Sequence, residues 1–138
     1  MKKIRFWLKE DFKMVKYQFF VGSTYKDLVD ERQVAINAII ETNNIVAGME
    51  FFGAVGENQL EHIKQEIDQT YYYLLIIGGR YGSLTKSGIS YTEEEYDYAV
   101  LNGVRVIAFI HSNPESLAYN KSETNSSNRE KLENFKTK

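Results

Sequence analysis

The chain has 138 residues, enough for one domain with a real core and too few for two. With 43% hydrophobic and 26% charged residues it suits a globular protein, and a net charge of −2 offers no positive field for a phosphate backbone, so no nucleic-acid partner is expected. The absence of Cys excludes disulfides, thiolate metal sites and cysteine nucleophiles, and the two separated His residues, His62 and His111, fit no metal-ligand spacing, so no metal is expected.

Residues 1–14 bring Lys2, Lys3, Arg5, Lys9, Glu10 and Asp11 in among their apolar side chains, which is not the pattern of a signal peptide. No run approaches the roughly 20 apolar residues of a membrane span, so no membrane partner and a cytoplasmic location are expected. Residues 1–14 read as an amino-terminal extension, with Met14 as an alternative start, and residues 15–111 read as a single α/β domain.

The run YQFFV at 17–21 predicts a buried strand, closed by Gly22, Ser23 and Thr24. Asp27, three residues after Thr24, resembles a helix-capping arrangement, and Leu28, Arg32, Ala35 and Ile39 recur at helical spacing to about Thr42. A second strand follows at 45–52, weakened by Gly48, with Glu50 near its carboxyl end. Glu57 or Asn58 opens a helix whose apolar stripe is Leu60, Ile63 and Ile67. The run YYYLLII at 71–77 is apolar on both faces, as a central parallel strand requires, and ends at Gly78, Gly79, Arg80, Tyr81 and Gly82. Ser90, Tyr91 and Thr92 begin a third helix that runs to Asn102 and stops at Gly103, and 104–110 is a fourth strand. Residues 112–138 read as a polar linker with the only Pro, Pro114, and the start of an incomplete helix, as in a piece of a longer protein. The order βαβαβαβ predicts a parallel sheet wrapped by helices through right-handed crossovers.

In such a sheet a ligand binds beyond the carboxyl ends of the strands, where successive connections leave in opposite directions. The ends of the first and third strands are the expected pair. Ser23 and Thr24 lie at one, Gly79, Arg80 and Tyr81 at the other, and Arg80 would offer a planar donor to phosphate or carboxylate. A tight turn with a surface ion pair explains the same residues equally well. Neither GxxxxGK[ST] nor GxGxxG is present, so nucleoside triphosphate hydrolysis has no support.

On the third helix Tyr91, Glu95, Tyr98 and Asn102 share one face, read as inward with Ala99, while Glu93, Glu94 and Asp97 point elsewhere and favour the helix start electrostatically. An inward Glu95 near the strand ends would serve as nucleophile, acid or base. Thr92 with Glu95 is also a capping box, and Ser90 with Glu93 is a competing one that would free Glu95. Asp27, Arg32, Glu50 and Tyr98 are supporting candidates, Arg32 by reaching inward to Glu50 or Glu95.

The strings FVGSTYKDLVDER, GMEFF, IDQTYYYLLIIGGRYGS and SYTEEEYDYA together resemble the bacterial domain-of-unknown-function 4062 family, over residues 16–111. That family is similar to Toll/interleukin-1 receptor (TIR) domains and nucleoside 2-deoxyribosyltransferases. The resemblance implies a flavodoxin-like, TIR-like three-layer fold with four or five parallel strands, used as an amino-terminal module of larger signalling or phage-defence proteins. The transferases carry a motif similar to TAFELGYA whose Glu attacks the sugar, and TEEEYDYA sets Glu95 there, with Tyr98 and Ala99 also matching. Gly88, Ile89 and Ser90 stand where the transferases have their aspartate pattern.

The resemblance therefore implies cleavage of an N-glycosidic bond by Glu95. Ser23, Thr24, Gly79, Arg80, Tyr81 and Tyr91 would hold a nucleotide-like small molecule such as NAD, a substrate rather than a cofactor. The alternative is a noncatalytic interaction or nucleotide-sensor module that works through a carboxyl-terminal partner domain or self-association.

Overall fold

The computed structural model describes residues 15–51 and 59–138. The amino-terminal extension, Phe52 and the expected helix openers Glu57 and Asn58 lie outside them. The strands are β1 (Gln18–Ser23), β2 (Ile45–Gly48), β3 (Tyr72–Ile77) and β4 (Arg105–Ile110), and the helices are α1 (Val29–Glu41), α2 (Gln59–Asp68), α3 (Tyr91–Leu101) and α4 (Ser126–Lys136). All four strands pair parallel in the order β2-β1-β3-β4, which makes the parallel α/β sheet expected from the element order and the flavodoxin-like layering implied by the family resemblance.

Alternation along the strands divides the core between the two faces of the sheet. Phe20, Tyr73, Leu75 and Ile77 pack with Ile63 and Ile67 of α2, Ala99 of α3, and Leu132 and Phe135 of α4. On the other face Val21 and Leu74 pack with Ile36 and Ile39 of α1. Because β1 connects outward to β2 while the next connection crosses back to β3, the ends of β1 and β3 form the switch point of the sheet.

Several element boundaries differ from the sequence reading, each for a local reason. β1 runs on through Gly22 and Ser23 because both stay in register with Leu75 and Ile76 of β3. β2 stops at Gly48, where its pairing to Val21 ends, and a 3-10 turn, Met49–Phe51, carries Glu50 back toward α1. The capping arrangement at Thr24 and Asp27 does not form. A turn closed by Leu28 N–H donating to the Tyr25 carbonyl (3.3 Å) delays the helix, and its N-cap, Leu28, makes no side-chain cap bond.

The largest correction concerns residues 112–138, read from sequence as a linker and an incomplete helix. Glu123 N–H donates to the Gly79 carbonyl (2.7 Å), which straps this segment across the end of β3. Beyond it α4 buries Leu132 and Phe135 in the core. The polar composition misled because only two residues of that helix are fully buried. Among the described residues no helix is long and apolar enough to cross a membrane.

Phe135 stacks edge-on against Tyr96 of α3 with ring centroids 5.4 Å apart. Phe135→Ala should therefore cost about 3 kcal/mol or more of unfolding free energy, read by denaturant titration. A change within about 0.5 kcal/mol, the usual effect of a surface site, would mean that α4 is a dispensable appendage.

Candidate functional site

At the switch point lies a cavity of about 490 Å³ whose wall includes Ser23, Thr24, Lys26 and Asp27 after β1, Arg80 and Gly82 after β3, and Tyr91 and Glu95 of α3. Its size falls within the range of small-molecule sites. A larger groove, about 650 Å³, lies on the α1 face and is lined almost wholly by apolar side chains. The smaller cavity is the stronger candidate because it joins the switch point to a buried carboxyl.

That carboxyl is Glu95, only 3% exposed. Ser90 is the N-cap of α3 and its Oγ accepts the Glu93 N–H at 3.2 Å. The helix is thus capped in the register that leaves Glu95 free. The Tyr73 hydroxyl donates to Glu95 Oε2 across 3.4 Å. The Tyr73 ring fits because Gly22 lies beneath it, where a Cβ would stand 2.0 Å from the hydroxyl.

Burial drives the Glu95 pKa up to about 8, against the opposing charge of Arg32 and the hydrogen bond from Tyr73. Burial and the neighbouring Glu95 together push the Tyr73 phenol well above its ordinary value, so it remains a donor. At neutral pH the site therefore holds a protonated carboxyl and an intact phenol.

Arg32 stands behind this pair, 1% exposed. Its Nη1 donates to Ser23 Oγ at 2.8 Å, and its Nη2 to the Val21 carbonyl at 2.9 Å and to Glu50 Oε2 at 2.8 Å. Its Nε donates to the other Glu50 oxygen. Gly48 makes room for this fork, since a Cβ there would meet Glu50 Oε2 at 2.8 Å. Burial raises the Glu50 carboxyl, but hydrogen bonding and charge from Arg32 outweigh it and hold the pKa below the ordinary value. Of the two partners considered for Arg32, Glu50 is the direct one, and Glu95 feels only its field.

Other sequence candidates are placed differently. Ser23, Thr24, Asp27, Arg80 and Tyr91 line the cavity, but Gly79 and Tyr81 do not. Gly79 is a glycine because the chain itself passes close, and a Cβ there would lie 2.5 Å from the Lys121 carbonyl. Tyr81 is buried, with its hydroxyl donating to Glu93 and its N–H to Glu123 Oε2 at 3.1 Å. Glu93 therefore points inward and also pairs with Lys138 at 2.6 Å, contrary to the expectation that it faces away. Tyr98 clips α3 to α2 through Asp68 (2.7 Å) and takes no part in the cavity, and Tyr91 and Asn102 are exposed rather than inward.

Sequence reasoning passed over two residues that matter here. Tyr73 was hidden in a run of three tyrosines, although alternation with Leu75 and Ile77 was a signal that it faces the helices. Lys26, exposed on the cavity wall, carried no motif at all.

Two outcomes follow from this geometry. In the unfolded chain Glu95 ionises near the ordinary carboxyl value of 4.5, whereas in the fold it stays neutral to about 8. Between those values only the folded state keeps the proton, so this group lowers stability as pH rises. Glu95→Gln should remove that loss, giving a stability advantage that grows from pH 5 to pH 8.5 and reaches on the order of 4 to 5 kcal/mol in denaturant melts. Arg32→Lys should cost roughly 3 kcal/mol in the same melts, because an ammonium cannot satisfy Glu50, Ser23 and the Val21 carbonyl together.

No curated protein and no solved structure matches the chain. The family model described as "Domain of unknown function (DUF4062)" matches residues 18–138, across all four strands and on through α4. The chain belongs to the DUF4062 family.

Proposed function

We propose that the switch-point cavity binds a nucleoside or nucleotide and cleaves its N-glycosidic bond, with Glu95 as the catalytic carboxylate. The observation that carries this reading is a carboxyl 3% exposed, free of capping duty, in the wall of a cavity of about 490 Å³ at the ends of β1 and β3. The motif resemblance to deoxyribosyltransferases and to NAD-cleaving TIR-type domains supports the same position. Tyr25 and Tyr91, 41% and 40% exposed, add flat faces to the wall on which a base can stack.

In the reaction the bond from the sugar carbon to the base nitrogen breaks and its electron pair leaves with the base. Ionised Glu95 stabilises the oxocarbenium-like sugar or bonds to it as an ester, and water then adds, releasing one proton and the free sugar. Tyr73 orients the carboxylate through its hydroxyl. Because burial favours neutral Glu95, a base that is itself cationic promotes its ionisation on binding and needs no proton to leave. That favours a pyridinium nucleotide such as NAD over a neutral nucleoside. The motif resemblance sets this activity in a larger signalling or phage-defence protein.

A noncatalytic interaction or sensor module is the second reading, favoured by the apolar groove on the opposite face, where Phe109 is 56% exposed. Chromatography after incubation with NAD and a nucleoside panel separates the two. The catalytic reading expects free nicotinamide or base from the wild type, at least about 100-fold less from Glu95→Gln, and kcat/KM rising with pH toward about 8 as Glu95 ionises. Folded wild-type protein that releases no base from any of them would leave the interaction module as the reading.

A further inference from the structure

The charges around the cavity are sorted by depth. Asp27 and Glu95 are 7% and 3% exposed, whereas Lys26 and Arg80 are exposed on the same wall. Among the described residues neither Lys26 nor Arg80 has an ion-pair or hydrogen-bond partner, while Arg32 is fully engaged by Glu50, Ser23 and the Val21 carbonyl. The two cations approach from different strand ends, Lys26 after β1 and Arg80 after β3, so they flank the mouth rather than share one turn. With Glu95 neutral at pH 7, the formal charges of these four side chains sum to a positive value in a chain whose net charge is −2.

The same wall holds two polar groups whose hydrogen bonding is incomplete. Among the described residues Thr24 Oγ1 and Asp27 Oδ2 are covered and have no hydrogen-bond partner, because the helix cap these residues resemble does not form. A buried carboxylate oxygen without a donor is costly, and a sugar hydroxyl is a donor of the right kind. Gly82, at φ +92°, brings its backbone against Thr24, where a Cβ would lie 2.8 Å from the Thr24 methyl, so this part of the wall is close-fitting.

We propose that the site selects 5′-phosphorylated nucleosides over free nucleosides, with Lys26 and Arg80 gripping the phosphate at the mouth and Thr24 and Asp27 receiving sugar hydroxyls below it. This rests on the N-glycosidase reading only for the orientation of the sugar toward Glu95. Phosphate recognition itself depends on the two cations.

The test is calorimetric titration of the full chain carrying Glu95→Gln, with adenosine 5′-monophosphate and adenosine as paired probes, and with Lys26→Gln or Arg80→Gln added. The monophosphate should bind at least about tenfold more tightly, the preference should shrink as salt is raised, and each added substitution should cut it while leaving adenosine affinity unchanged. Equal affinity for the two probes, binding of neither, or substitutions that weaken both alike would overturn the proposal. The wild type assayed on NAD, nicotinamide riboside and the two adenosine probes distinguishes this from failure of the catalytic reading. Phosphate-selective binding with no base released from any probe leaves the phosphate site standing and removes the glycosidase. Base release with equal KM from phosphorylated and free probes does the reverse.

Discussion

The site depends on a single buried cation. A guanidinium 1% exposed is tolerated only if its donors are met, and Arg32 meets that demand by drawing together three elements that the chain delivers separately. It rises from α1, reaches the Val21 carbonyl and Ser23 of β1, and takes both oxygens of Glu50 from the turn after β2. The ends of two strands and one flank of the cavity are thereby held in one geometry. Lys cannot play this part, because the arrangement uses a planar fork with donors on three nitrogens.

The same cation acts on Glu95 at a distance. Burial alone would push that carboxyl further up, and the positive charge of Arg32 is the larger of the two influences that pull it back. Glu95 is thus held near the pH at which it changes charge, the condition under which a carboxyl can be switched by what enters its pocket. The cost is a native state weakened above pH 4.5, with no cap, ion pair or ladder in return. Local destabilisation at a cavity wall is offset elsewhere by packing.

Fold and site were unequally legible in the sequence. The four strands were readable because their apolar runs exceed what loops or amphipathic helices need, and Arg32 stood out as a charge on an apolar stripe. The cap of α3 was not, since Ser90–Glu93 and Thr92–Glu95 fit the same motif and only tertiary packing selects between them. Gly79 and Tyr81 were misassigned for a related reason. A glycine that admits a backbone does not say whose backbone it admits, and here it is the chain's own return through residues 121–123. α4 was read only as the start of a helix, and its packing into the core was missed because burying Leu132 and Phe135 alone leaves an otherwise polar helix. Tyr73 and Lys26 acquire meaning only when strands far apart in sequence are brought edge to edge.

The central strand explains why one small domain supports two kinds of surface. Along β3, Tyr73 faces the helices and reaches Glu95, while its neighbours Leu74 and Ile76 face the α1 side and line the apolar groove. Three helices cover the first face and only α1 contributes to the second, so Phe109 on β4 stays more than half exposed there. Period-two alternation separates the two sets along most of the strand, and they meet only at its end, where Ile77 packs with the first core and also borders the groove. The switch-point cavity and the apolar groove therefore share no lining residue, and a substitution in the wall of one leaves the wall of the other intact.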